Sequence, residues 1–124
     1  MIKIIINDIP PNLSQIIAMC KRGWYIYYHE KQDWTEQVGY LALSEKNKRG
    51  GTIKKPVKIV VKFYFKTKRR RDPDNYNACA KFLLDGLVEG GLLKDDSFDE
   101  IESVKVARPE HDKEHPRTEL VILE

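Results

Sequence analysis

Alternating apolar and polar positions predict the strands of this chain. From Val57 to Phe65 every second residue is apolar, and Lys58 and Lys62 lie among the residues between them. A period of two with one apolar and one mostly cationic face is typical of a half-buried strand. Three further segments are predicted as strands: Met1 to Ile6, Ile101 to Arg108 and Thr118 to Leu123. The polar segment Pro109 to Pro116 is predicted as the loop between the last two.

Apolar residues recur with helical spacing in two other segments, which we predict to be amphipathic helices. One is Glu30 to Lys46, with an apolar face formed by Trp34, Val38, Leu41 and Ala42. The other begins after Asp72 and stops at Gly90-Gly91, with a stripe formed by Tyr76, Ala80, Leu83, Leu84 and Leu87. Leu13 to Tyr28 is ambiguous. A short helix could begin near Ile16, whereas Trp24 to Tyr28 resembles a strand or an extended arm, whose aromatic rings would pack in a core or stack on unpaired bases.

The order strand, helix, strand, helix, strand, strand predicts one α+β domain over residues 1 to 124. Two main helices would pack on a mixed sheet of about four strands. A length of 124 residues suits one core, and two cysteines provide neither a disulfide framework nor a zinc cluster. We find no apolar run of membrane length and no signal-peptide architecture, so we expect a cytoplasmic protein without a membrane partner.

Positive charge is concentrated in one stretch of the chain. The formal net charge is only +3, but Lys46 to Arg71 contains no acidic residue and more than half of the 22 lysines and arginines. Such a field attracts polyanions. Its first part, Lys46 to Lys55, is predicted as a basic loop that either contacts DNA phosphates or is disordered. The residues predicted to bind DNA are Lys58, Lys62, Lys66, Lys68, Arg69, Arg70, Arg71 and Asn75.

The basic stretch leads directly into two carboxylates, Asp72 and Asp74. Cations bind phosphate, whereas clustered carboxylates repel it unless a divalent metal lies between them. Pro73 keeps Asp72 extended and favours a helix start, where the helix dipole also favours phosphate oxygens. A second acidic pair, Asp95-Asp96, could return beside the first. Either pair alone is more often a cap or a solvated turn. Their combination with the basic stretch indicates metal-dependent cutting of a nucleic-acid backbone.

These residues resemble the RusA-type Holliday junction resolvases. The likeness lies in R-R-D-P-D-N at Arg70 to Asn75, in K-F-L-L-D-G-L at Lys81 to Leu87, in D-D-S at Asp95 to Ser97 and, more weakly, in Pro10 to Asn12. The resemblance implies a RusA-like fold. It also implies that Asp72, Asp74 and Asp96 are catalytic, metal-binding carboxylates and that Lys81 is the lysine required for catalysis. We add Asp95, the neighbour of Asp96, as a further candidate metal ligand.

Lys81 departs from the spacing of the best-known members. They place the lysine three residues after the motif's Asn, whereas Lys81 is six after Asn75 and Ala78 has the expected place. Three extra residues are nearly one helical turn, so we expect Lys81 near the same face but about 4.5 Å further along. Its side chain should then point toward the Asp72 end of the helix. Alternatively, Lys81 forms an exposed i,i+4 pair with Asp85.

Hydrolysis of a phosphodiester needs an activated water, a stabilised phosphate and a neutralised leaving oxygen. Mg²⁺ held by clustered carboxylates can provide all three, with Mn²⁺ as a substitute. We therefore expect a Mg²⁺-dependent endodeoxyribonuclease that resolves four-way DNA junctions by paired cuts, and the resemblance implies a homodimer. Two other functions stay open: a less selective nuclease of branched DNA, and a non-catalytic nucleic-acid-binding module. His111 and His115 have i,i+4 spacing, but Pro116 argues against a helical metal site there.

Overall fold

A computed structural model describes residues 1–124 as five strands and four helices. In chain order they are β1 (Ile2–Ile6), α1 (Leu13–Arg22), α2 (Trp24–Arg49), β2 (Val57–Phe65), α3 (Pro73–Asn77), α4 (Ala80–Glu89), β3 (Ile101–Val106), β4 (Glu110–His111) and β5 (Arg117–Leu123). The predicted α+β class is confirmed. None of the helices combines the length and the apolar character that crossing a membrane would need.

The strands form one mixed sheet in the order β1-β5-β2-β3, with β4 also paired to β2. β5 runs antiparallel to both β1 and β2, whereas β3 and β4 run parallel to β2. The alternation predicted for β2 is confirmed: Val57, Ile59, Val61, Phe63 and Phe65 are all buried. Ile4, Leu120 and Val61 lie side by side on this buried face, where α2 and α4 cover the sheet to form the core.

Two sequence expectations for α2 are wrong. Trp24 to Tyr28 is helical, and the predicted basic loop begins later because the helix continues to Arg49. Gly50, with φ of 86° in the left-handed region, ends the helix, and its N–H bonds to the carbonyl of Lys46. Only part of the aromatic cluster packs in the core, and stacking on unpaired bases stays a prediction. Tyr27 packs edge-on against buried Phe82, whereas Trp24 is 74% exposed.

Helices α2 and α4 approach closely because glycines lie where they meet. A Cβ on Gly86 would overlap Cβ of Val38, and a Cβ on Gly90 would lie 2.8 Å from Cβ of Ala42. Helix packing therefore explains why glycine occupies both positions, and Gly86 is the glycine of the D-G-L motif. The close approach fixes the distance between side chains on the facing surfaces of α2 and α4.

We expect Gly86→Ala to destabilise the protein by about 1–3 kcal/mol, because the added methyl group overpacks a tight helix contact. Gly39→Ala is the matched control from the same interface. Its added Cβ would meet nothing nearer than 3.7 Å, so helix propensity alone should leave stability unchanged or raise it. Thermal unfolding of the two variants measures the difference. Equal melting temperatures for the two variants would show that α2 and α4 can move apart to accept the Gly86 methyl group at little cost.

The face of the sheet opposite the helices carries a buried carboxylate. Glu119 is 6% exposed and lies between Lys3, at 3.3 Å, and Arg117, at 2.8 Å. Burial alone would raise the pKa of Glu119, but hydrogen bonds from Arg117 and Lys3 outweigh it and lower the pKa below its ordinary value. Glu119 therefore stabilises the fold as an anion.

Glu119→Gln should lower the free energy of unfolding by roughly 1–2 kcal/mol at pH 7, since hydrogen bonds to a charged group are lost. The folded pKa lies below the ordinary value of 4.5, so this stabilisation is present above about pH 4.5. It is lost as the pH falls through the folded pKa. Denaturant unfolding at pH 7 and at pH 3 checks this. A difference between wild type and variant that stays constant with pH would contradict it.

Candidate active site

Asp72 and Asp74 lie at the start of α3. Asp72 is extended, with φ of −101° and ψ of 134°, and its side chain makes no capping hydrogen bond to the helix. Its carboxylate is 59% exposed and lies 3.4 Å from Nη2 of Arg70. Asp74, in the first turn, is exposed. Asp72 therefore occupies the N-cap position of α3 without a side-chain capping bond, and its carboxylate oxygens are exposed.

Arginines surround Asp72 on one side. A cavity of about 560 Å³ is lined by Asp72 together with Arg69, Arg71 and Arg108. The guanidinium of Arg71 stacks 3.7 Å from the ring centre of Phe65 and donates to the carbonyl of Thr67 at 3.1 Å. Its Nε is buried without a hydrogen-bond partner. Arg71 is therefore held in the turn, whereas Arg69 and Arg70 are exposed, and Arg70 is paired with Asp72.

The second acidic pair lies in a different cleft. Asp95 and Asp96 line a space of about 600 Å³ between α2 and α4. One oxygen of Asp95 accepts the backbone N–H of Asp96 at 2.8 Å, which is a turn contact. The carboxylate of Asp96 contacts Nζ of Lys81 at 3.6 Å and is 31% exposed. Asp95 is exposed and Asp96 is partly buried, and the side chain of each already has one polar partner.

The structure does not gather the predicted metal ligands into one cluster. No three His, Cys, Asp or Glu side chains are grouped closely enough to hold a metal ion together. Asp72 and Asp74 form one pair at α3, and Asp95 and Asp96 form another beside α4. An ion held by all of them would require the two pairs to approach each other.

Lys81 is the cation of the α2–α4 cleft that the sequence singled out. Its Nζ lies 3.2 Å from Asp85, one turn further along α4, and 3.6 Å from Asp96. The expected direction toward Asp72 is therefore not observed. A hydrogen bond from Lys81 to Asp85 is the main reason that the pKa of Lys81 is raised, although partial burial opposes it. Lys81 remains an ammonium group at neutral pH that is shared between Asp85 and Asp96, so the alternative i,i+4 pair with Asp85 is confirmed.

The expected helix after Asp72 is interrupted where the three extra residues fall. Ala78 and Cys79 separate α3 from α4. The amides of Cys79 and Phe82 bond to carbonyls three residues back, at 3.1 Å each, as in a 3₁₀ turn. The thiol of Cys79 is buried against the carbonyl of Pro11 at 3.2 Å, and burial raises its pKa to about 12. Cys79 is therefore a structural, unreactive residue at this junction.

Asn75 has a partner within the fold. Its amide oxygen accepts hydrogen bonds from the N–H of Ser14 at 3.1 Å and from the hydroxyl of Ser14 at 3.2 Å. These contacts fix the start of α1 against α3. The predicted role of Asn75 in DNA binding stays a prediction, and the structure adds a positioning role that the sequence did not indicate.

The cationic row along β2 and just after it is partly neutralised. Lys62 lies 3.0 Å from Glu110, and this hydrogen bond is the main reason that the pKa of Lys62 is raised. Lys58, Lys66 and Lys68 are exposed and form no ion pair. The row therefore offers three free cations to a polyanion instead of the expected four.

Removing those three cations together should flatten the salt dependence of DNA binding. Each phosphate contact contributes about 0.9 to the slope of log affinity against log salt, so Lys58, Lys66 and Lys68 changed to Ala should reduce it by roughly 2.7. Lys62→Ala should reduce it less because Lys62 is already paired. Affinities measured across a salt series test this. An unchanged slope in the triple variant would show that DNA does not contact this row of lysines.

The sequence did not indicate that α2 contributes to the acidic cleft. Besides the acidic pair, its lining includes Tyr28 and Lys31 from α2 and Asp85 from α4. Tyr28, Gln32 and Glu36 follow one another at intervals of four residues along α2, and so do Tyr27, Lys31 and Thr35. That repeat was present in the sequence, but nothing in it showed that α2 faces α4.

Comparison of the sequence with protein-family models identifies the family of this chain. The family model of endodeoxyribonuclease RusA matches residues 10–123. The chain belongs to the RusA family. The match confirms the resemblance seen in the R-R-D-P-D-N, K-F-L-L-D-G-L and D-D-S segments and makes the chain a nuclease of the Holliday junction endonuclease family. None of the curated proteins gives a significant match to this RusA chain.

Proposed function

We propose that this member of the RusA family is a Mg²⁺-dependent endodeoxyribonuclease that resolves four-way DNA junctions by paired phosphodiester hydrolysis. The observation that carries this function best is Lys81, an ammonium group 3.6 Å from the carboxylate of Asp96 in an open cleft. A cation beside a partly exposed carboxylate suits a site that must accept both a metal ion and a phosphate.

The donor chemistry fits Mg²⁺, with Mn²⁺ as a substitute. Asp72 is exposed and free of capping contacts, and Asp96 has only Lys81 as a partner. Mg²⁺ takes one or two carboxylates and completes its shell with water and substrate phosphate, so each pair provides enough protein oxygens. We propose Asp72, Asp74 and Asp96, with Asp95, as the ligands, and one ion shared by both pairs would require the pairs to approach each other. When bound, the ion would supply an activated water and offset charge on the phosphate.

The other residues act on the DNA. Lys81 would neutralise the phosphate that is cut, and Arg69 and Arg70 would hold flanking phosphates. Arg71, fixed by Phe65 and Thr67, would orient that turn. A four-way junction has near two-fold symmetry and needs two matched cuts, so we propose a homodimer with one site per subunit.

Labelled four-way, Y-shaped and linear DNA, each incubated with and without Mg²⁺, test this function. Paired, Mg²⁺-dependent cuts in the four-way substrate alone are expected. Equal cutting of the Y-shaped substrate would establish a less selective nuclease of branched DNA. Binding without cutting at any metal concentration would establish a non-catalytic module and overturn the proposal.

A further inference from the structure

Asp85 holds two lysines that come from different helices. One of its oxygens lies 2.7 Å from Nζ of Lys31 on α2, and the other lies 3.2 Å from Nζ of Lys81 on α4. Lys81 in turn contacts Asp96 at 3.6 Å. The four side chains therefore form a row of alternating charge that ends at the carboxylate proposed to take part in cleavage.

The row is partly shielded from water. The side chains of Lys31 and Asp85 are 26% and 24% exposed, compared with 55% for Lys81. Burial alone would raise the pKa of Asp85, but hydrogen bonds from Lys31 and Lys81 outweigh it and lower the pKa below its ordinary value. Asp85 is thus an anion at neutral pH, and it fixes both ammonium groups more firmly than an exposed pair would.

The charges of the α2–α4 cleft restrict where a phosphate can lie. Its lining contains five acidic side chains, Glu36, Asp85, Glu89, Asp95 and Asp96, and only two cations, Lys31 and Lys81. A phosphodiester entering this cleft can be neutralised by the protein only at these two lysines. Lys31 therefore has the same electrostatic task as Lys81, from the opposite wall.

Helix packing alone does not require this row. The contacts of Gly86 and Gly90 with α2, together with the core beneath them, already fix the two helices against each other. The contact between Lys81 and Asp96 also reaches outside both helices, to the loop that carries the acidic pair. We infer that Lys31 is a second phosphate-binding residue of the cleavage site and that Asp85 is a positioning residue that aims Lys31 and Lys81. This inference rests on the proposed function.

The test compares single-turnover cutting and junction affinity in full-length variants. Asp85→Asn should slow cutting by about tenfold or more, because the lysines lose their anchor. Its affinity should be unchanged or higher, because an anion that repels DNA is removed. Asp85→Glu should recover part of the rate. Asp33→Asn, an exposed acid on α2 that forms no ion pair, is the matched control and should cut like wild type.

Lys31→Met tests phosphate binding separately. It should reduce the slope of log affinity against log salt, by less than the roughly 0.9 of an unpaired cation because Lys31 is already paired with Asp85, and Lys31→Arg should restore the slope. Lys113→Ala, in an exposed loop, should leave the slope unchanged. Wild-type cutting by Asp85→Asn, or a rate loss matched by an equal loss of folded protein, would overturn the positioning role. An unchanged slope in Lys31→Met would overturn the binding role.

Failure of the proposed function gives a different result. In that case the wild-type protein would bind four-way DNA without Mg²⁺-dependent cutting. The salt slope of Lys31→Met would still report whether Lys31 contacts phosphate, because affinity is measured without cutting. Loss of cutting in all proteins thus refutes the nuclease, whereas normal cutting in the Asp85 variant refutes only the positioning role.

Discussion

Asn in place of Asp72, Asp74 or Asp96 is expected to abolish cutting while four-way junctions are still bound. Asn keeps the shape of the side chain but removes charge that a metal ion needs and that otherwise repels phosphate. Metal catalysis supplies several kcal/mol, so we expect the rate to fall roughly a thousandfold. Single-turnover cutting in Mg²⁺ and affinity by gel shift measure the two effects.

Asp95→Asn separates the two members of the second pair. Its side-chain oxygen accepts the N–H of Asp96, and Asn can make the same bond, so the turn should survive. We expect a smaller loss of cutting than for Asp96→Asn. Asp99→Asn, an exposed acid in the same loop, is the control for general loss of charge.

The assignment of Asp72 as a metal ligand has its own refuting result. Mg²⁺-dependent cutting at the wild-type rate by the Asp72→Asn protein would rule that assignment out.

The sheet could be predicted because its pattern is local. In β2 the side chains alternate between core and solvent, so the sequence alone shows which residues are buried. The start of α2 could not be predicted in this way. Trp24, Tyr25 and Tyr28 have high strand propensity and remain exposed. The contact that anchors this end of α2, Tyr27 against Phe82, joins distant parts of the chain and is not visible in a local pattern.

The same limit applies to the candidate site. The motifs identified Asp72, Asp96 and Lys81 because each has a neighbour of distinctive chemistry in the sequence. Lys31 is some 50 residues from Asp85, and only the packing of α2 on α4 brings them together. The sequence also did not show that the four carboxylates divide into two separate pairs. It depends on where α3 ends and where the loop after α4 returns, which no local pattern specifies.

Lys81→Ala should slow cutting by about a hundredfold and change junction affinity by less than about threefold. The ammonium group lies beside Asp96 and faces the cleft, so its main contribution should arise where charge develops on the phosphate during the reaction. Loss of a single phosphate contact in the ground state weakens binding far less. Rates under single turnover and affinities without metal measure the two quantities.

Lys94→Ala provides the matched control, since Lys94 is exposed next to the acidic pair but forms no ion pair. It should cut at nearly the wild-type rate. If Lys81→Ala lost rate and affinity in equal proportion, Lys81 would be an ordinary phosphate contact. If it lost neither, the pair with Asp85 would be only a surface i,i+4 contact, worth a few tenths of a kcal/mol to the helix. Only a selective loss of rate supports a role for Lys81 in the cleavage step, because binding energy expressed in the transition state alone raises the rate without tightening the complex.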